Sequence, residues 1–119
     1  MICDDPDAPS DEPWVHWVLY GIAADVRELP EGIPSNKPQL AKPISAKQGK
    51  NSWMSGSMIG DRGPMPSPGH GAHHYHFKLY ALDSKLNLPP AATKQQLLDA
   101  MQGYVLAEGD LIGTCERKR

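Results

Sequence analysis

Five side chains stand where they could hold a small anion: Asp5, Asp7, His16, His73 and Tyr75. Asp5 and Asp7 lie in the run Asp4-Asp5-Pro6-Asp7-Ala8-Pro9, where the prolines fix φ and carboxylates offer acceptors to turn amides. His16 sits between Trp14 and Val18, and His73 and Tyr75 open the segment HHYHFKLYAL. A carboxylate bonded to an imidazole sets its tautomer and favours the protonated ring, which makes a good anion donor near neutral pH. Tyr75 adds a hydroxyl. A lone histidine more often caps a core through a backbone hydrogen bond. Two histidines in similar settings, with a stiff acidic turn just before one of them, shift the reading toward a ligand seat.

Other chemistries fit less well. His70, His73, His74 and His76 invite a metal, but alternation along a strand sends His73 away from His74 and His76, and no cysteine lies nearby to complete a closed zinc site. The expectation is adventitious metal binding, with no cofactor. Ser52, Ser55, Ser57 and Ser67 lack a G-x-S-x-G setting, so a serine hydrolase has no evident nucleophile. Asp5 and Asp7 as an acid/base pair compete with the commoner role of such carboxylates in stabilising a turn. The chain is expected not to be an enzyme.

The elements that must position these residues follow from the patterning. Met1 to Cys3 reads as the tail of a buried strand. Trp14 to Ile22 is apolar on both faces, with Trp14, His16, Val18 and Tyr20 on one side and Val15, Trp17 and Leu19 on the other, as in a covered central strand. From Pro30 to about Gly56 no period persists, and the stretch reads as a long excursion with at most one short strand near Trp53. Residues Met58 to Gly71 (MIGDRGPMPSPGHG) hold four glycines and three prolines and should form a pre-set rim that allows close approach. His73 to Leu82 is the clearest strand, with His73, Tyr75, Phe77, Leu79 and Ala81 toward the core. Thr93 with Gln96 forms a capping box ahead of Leu97, Leu98 and Met101, which predicts one short helix before Gly103. Leu111 to Cys115 looks like a last strand.

The composition bounds these readings. A chain of 119 residues makes one domain (1–119) with one expected site. Twelve basic and fourteen acidic residues are spread over both halves for a net charge of -2, so no basic stripe suits nucleic acid. No apolar run approaches a membrane span, and the start has neither a basic region nor an apolar signal core. The expectation is a soluble, cytoplasmic protein. Cys3 and Cys115, at opposite ends of the sequence without ligand-like spacing, read as two small hydrophobes in a reducing compartment.

Taken together, DPDAP (Asp5 to Pro9), WVHW (Trp14 to Trp17), GDRGPMPSPGHG (Gly60 to Gly71) and HHYHFKLYALD (His73 to Asp83) resemble the phosphatidylethanolamine-binding protein family, and more closely its bacterial and archaeal Raf kinase inhibitor-like branch. The resemblance covers essentially the whole chain. It implies a mainly β fold, a β-sandwich of two antiparallel sheets with Greek-key character and a short helix near the C-terminus. It also implies a pocket for a phosphate or phosphoethanolamine-type headgroup. Carried over position by position, the ligand-binding residues are Asp5, Asp7, Pro9, His16, Pro66, His73 and Tyr75. The alternative is a protein-interaction module that inhibits a kinase, protease or other hydrolase through the same pocket.

The chain departs from the family pattern in four places. Asp61 stands where a tyrosine is usual, Ser67 where a second proline is usual, and Cys115 where an aromatic is common. Family members also carry strands before DPDAP, whereas this sequence begins just ahead of it. The expectation is an N-terminally truncated form whose open edges favour a homodimer, strand exchange or lower stability.

Overall fold

The computed structural model describes the chain except residues 9–11, 27, 31, 43, 55, 57, 64–70 and 116–119, and the side chain of Cys115. Pro9, Pro66, Ser67 and His70 therefore lie outside the described residues, as does half of the expected rim. The strands are β1 (Ile2–Asp5), β2 (Trp14–Tyr20), β3 (Gln39–Leu40), β4 (Ala46–Gln48), β5 (His73–Leu82) and β6 (Val105–Cys115), with a single helix α1 (Lys94–Met101) between the last two strands. The strands join in one antiparallel sheet of order β3-β4-β2-β1-β5-β6. The protein is thus mainly β with one short helix near its C-terminus.

Strand β1 is only four residues long, yet all four are buried and it pairs on both sides, with β2 and with β5. It is the seam that brings residue 16 and residue 73 into one neighbourhood. The sheet has two apolar faces. One gathers Ile2, Val15, Val18 and Tyr20 beneath Ala92, Leu97 and Met101. The other gathers Cys3, Trp17, Leu19, Leu40, Ala46 and Tyr75.

Helix α1 closes the first face for the reason its sequence gives. Thr93 Oγ1 accepts from the Gln96 amide at 3.1 Å while Gln96 Oε1 accepts from the Thr93 amide at 2.9 Å. Leu97 and Met101, one turn apart, are then turned onto the sheet. Lys94 reaches back to Asp4 Oδ2 at 2.7 Å, and Tyr20 ties the connection before the helix by donating to the Pro89 carbonyl and accepting from the Ala92 amide.

Strict alternation fails in β2. Cys3 is opposite Trp17 but Asp4 is opposite Val15, so one extra residue of β2, His16, is accommodated between the two pairs. Such a bulge reverses the facing of everything before it. Val15 accordingly packs with Val18 and Tyr20, and His16 lies with Trp17 on the Tyr75 side instead of with Val18 as alternation predicts.

Three further expectations are corrected. Trp53 belongs to no strand, and the excursion instead contributes β3, β4 and a Lys50–Ile59 bridge. The last strand starts at Val105, six residues before Leu111, because it runs as an exposed partner of β5 and needs no apolar alternation to hold its place. The inward face of β5 is buried only at its beginning: His73 and Tyr75 are covered, whereas Leu79 is 55% exposed.

Candidate functional site

The bulge, the central seam and the start of β5 bring four polar or aromatic side chains to one face. Asp5 ends β1, and its Oδ2 accepts from His73 Nδ1 at 2.7 Å. Both side chains are about 4% exposed, so this is a carboxylate–imidazole pair removed from water. The other oxygen, Oδ1, accepts from the Asp7 amide at 2.8 Å, which fixes the carboxylate from the turn side. A buried carboxylate held by two donors is a stiff orienting group.

His16 reaches the same neighbourhood from β2. Its Nδ1 donates to the Arg62 carbonyl at 2.7 Å, and its own carbonyl accepts from the Arg62 amide at 3.2 Å. The ring is packed edge-to-face against Tyr75, with centroids 5.1 Å apart, and against Trp53, also at 5.1 Å. Trp53 in turn meets Trp14 at 5.4 Å, and the Arg62 guanidinium lies 4.8 Å from the centre of the Trp53 ring. Each such aromatic contact contributes about 0.5–1.5 kcal/mol beyond area burial.

A carbonyl or carboxylate can only accept, so His16 and His73 both carry hydrogen on Nδ1. In the neutral ring Nε2 is the bare nitrogen; in the imidazolium it becomes a second donor.

Access of Arg62 to His16 depends on Gly60. Its φ is +89°, and a Cβ there would fall 3.1 Å from both Gln48 Oε1 and the Ser35 backbone. Gln48 is completely buried and takes the Trp17 indole N–H at 2.7 Å while donating to the Pro34 and Lys37 carbonyls. The Gly60 turn is thus locked onto a buried amide.

Of the residues expected from sequence, the structure brings Asp5, His16, His73 and Tyr75 together. Asp7 contributes its amide to this arrangement, but its carboxylate is directed elsewhere: Oδ2 accepts from both the amide and the Nδ1 of His74 at 2.7 Å on the exposed side. Those two bonds hold the Asp7 carboxyl below its ordinary range. Pro9 and Pro66 lie outside the described residues.

Trp53 and Arg62 were not singled out from sequence. A lone tryptophan in a Ser/Gly-rich stretch was the available sign that the loop is anchored; nothing in the pattern marks Arg62. Asp61 is also close. Partial desolvation raises its carboxyl above the ordinary range, opposed by the charge of nearby His16.

The family described as phosphatidylethanolamine-binding protein matches residues 1–116. A UPF0098 protein of Pyrococcus horikoshii is 48% identical over 118 residues, covering 99% of this chain and 57% of its own length. One from Methanothermobacter thermautotrophicus is 46% identical over 117 residues, covering 98% and 72%. Among solved structures, a putative phosphatidylethanolamine-binding protein homologue of Chlamydia trachomatis superimposes with a TM-score of 0.80 at 37% identity, over 98% of this chain and 69% of that one. YbcL of E. coli, described as a new member of the mammalian PEBP family, gives 0.80 at 28% identity, over 97% and 68%.

The mainly β architecture, one large antiparallel sheet with a short helix near the C-terminus, is consistent with a PEBP-like β-sandwich fold. The chain belongs to the phosphatidylethanolamine-binding protein family. It spans 57% and 63% of the length of two archaeal relatives that it matches over 99% of its own. No helix among the described residues is long and apolar enough to cross a membrane.

Proposed function

We propose that the domain binds a compact phosphate-type anion, free or as the phosphoethanolamine end of a lipid, at the seat of His73, His16 and Tyr75 oriented by Asp5. The observation that carries this reading is the buried 2.7 Å bond between Asp5 and His73. A carboxylate on Nδ1 favours the imidazolium, whose Nε2–H then serves as a charge-assisted donor. His16, with Nδ1 given to the Arg62 carbonyl, offers the same atom, and Tyr75 adds its hydroxyl. The near-complete burial of Asp5, His16, His73 and Tyr75 restricts the ligand to a small group. The family, and the Chlamydia trachomatis homologue, are named for phosphatidylethanolamine binding, which is the same ligand class.

Titration with inorganic phosphate and with phosphoethanolamine, followed at the imidazole resonances, tests the reading. Binding should perturb His16 and His73 together. His73→Gln should lower the affinity at least about tenfold, the size expected when a charged donor is lost. Unchanged affinity in His73→Gln, or perturbation confined to other histidines, defeats it.

A further inference from the structure

The opposite face of β5 carries a second pair of histidines outside the anion seat. His74 and His76 alternate with His73 and Tyr75, so both leave the sheet on the same side, two residues apart. Each is oriented by a carboxylate from a different element. Asp7, from the turn after β1, holds His74 Nδ1 at 2.7 Å, and Asp110, from β6, holds His76 Nδ1 at 3.1 Å. The carboxylate of Asp7 is itself pinned by the His74 amide.

With Nδ1 donating in both rings, the neutral imidazoles present Nε2 lone pairs, and no described side chain occupies either atom. The side chains of His74 and His76 are 52% and 22% exposed, so both can be reached from solvent. Carboxylate on one nitrogen and an open second nitrogen is the arrangement that metal-binding histidines adopt, because it fixes the tautomer and raises ligand basicity.

We propose that His74 and His76, through Nε2, chelate a divalent transition ion such as Zn²⁺ on the outer face of β5, with Asp7 and Asp110 orienting the two ligands. The spacing permits it. Residues two apart on a strand are separated by roughly 6.6 Å. Two nitrogens on a tetrahedral zinc lie about 3.4 Å apart, so the ring tips must converge by about 1.6 Å each. Among the described residues no group of three or more ligating side chains exists, so water completes the coordination. A nitrogen and oxygen donor set without thiolate suits Zn²⁺, Ni²⁺ or Cu²⁺ over softer ions. The site lies on the face opposite the anion seat, and Asp7 links the two through its amide on Asp5 and its carboxylate on His74.

Titration of the full chain with Zn²⁺ alone, read at the histidine ring resonances, tests it. The expected result is one ion per chain, with the signals of His74 and His76 moving together. His74→Ala and His76→Ala should each weaken binding at least about tenfold, and Asp110→Asn by about tenfold through loss of the orienting partner. Both rings are on the surface, so the fold should survive, as circular dichroism would verify; Cu²⁺ spectra should report two nitrogen ligands in the parent chain and one in either variant. Zn²⁺ affinity unchanged in both histidine variants, two independent equivalents, or no binding overturns the proposal.

Discussion

Asp5 and His73 are 68 positions apart in sequence and 2.7 Å apart in space, with both side chains withdrawn from water. The contact follows from the antiparallel pairing of β1 with β5, which sets the end of β1 beside the start of β5. The pair is therefore both a product of the fold and a test of it. Replacing Asp5 with Asn keeps the shape but removes the charge. If Asn Oδ1 accepts from His73, its NH₂ faces the Asp7 amide, donor against donor. A loss of about 1–3 kcal/mol in stability is expected, the cost of an unsatisfied buried polar group. Denaturant unfolding would measure it. Phosphate affinity should fall as well, because the imidazolium loses its charged partner; unchanged or tighter binding would contradict the role given to Asp5.

Asp61 works against an anion. It lies close enough to His16 for the two charges to interact, and partial burial already raises its carboxyl above the ordinary range. An ionised carboxylate there draws on the positive charge that the seat offers its ligand. Asp61→Asn should therefore tighten phosphate binding, and Asp61→Tyr should do so too if a phenol restores the family's usual rim. The gain should shrink as pH drops through the raised range of this carboxyl, where the native side chain becomes neutral and no longer differs in charge from Asn. Isothermal titration across that range checks the sign, and weaker binding in Asp61→Asn would show that the carboxylate positions His16 instead of repelling the ligand.

Much of this arrangement was legible in the chain itself, and the exceptions have physical causes. The helix was readable because its capping box is local, with Thr93 and Gln96 specifying each other within one turn. Strand β5 was readable because apolar and polar residues alternate from His74 to Leu79. The facing of His16 was not, because a bulge is decided by the partner strand: nothing in WVHWVLY says that Cys3 and Asp4 will pair with Trp17 and Val15 and pass over the histidine. Alternation alone placed His16 with Val18. The bulge is what puts it against Tyr75. Arg62 was hidden for a related reason, since it serves His16 through its carbonyl and amide, which every residue possesses.

Gly49 is a position where no other residue fits. A Cβ built there would lie 2.2 Å from the Ala92 carbonyl oxygen and 2.9 Å from Val18 Cγ1. The first of these is backbone that also accepts from the Lys50 amide at 2.8 Å, so it cannot swing aside without breaking a bond that fastens the approach to α1. Gly49→Ala should cost at least about 1–3 kcal/mol, the range for overpacking a close-packed interior. Gly109→Ala is the control, because nothing stands within 4 Å of its Cβ position and its φ is ordinary. Thermal melts of the two variants should differ clearly, and similar melting points would mean that the segment after β4 yields more easily than its bonds indicate.

Cys3 reports on whether β1 stays in place. Desolvation, reinforced by the negative charges of Asp61, Asp4 and Asp5, pushes its thiol from 9.0 up to about 12. The thiolate is the reactive form, so the folded protein should resist alkylation at mildly alkaline pH, where an exposed cysteine reacts. The sign for stability follows from the same shift. A folded value above the unfolded one favours the protonated native state, so this contribution is intact below about 9 and is lost as pH rises toward about 12. In a Cys115→Ser background, labelling of Cys3 should proceed only through opening of β1, which also dismantles the Asp5 contact. Phosphate, if it binds the closed seat, must then slow labelling by stabilising the native state. Rapid modification of Cys3 that phosphate leaves unchanged would mean that β1 opens independently of the seat, and the coupling between the central seam and the ligand would fail.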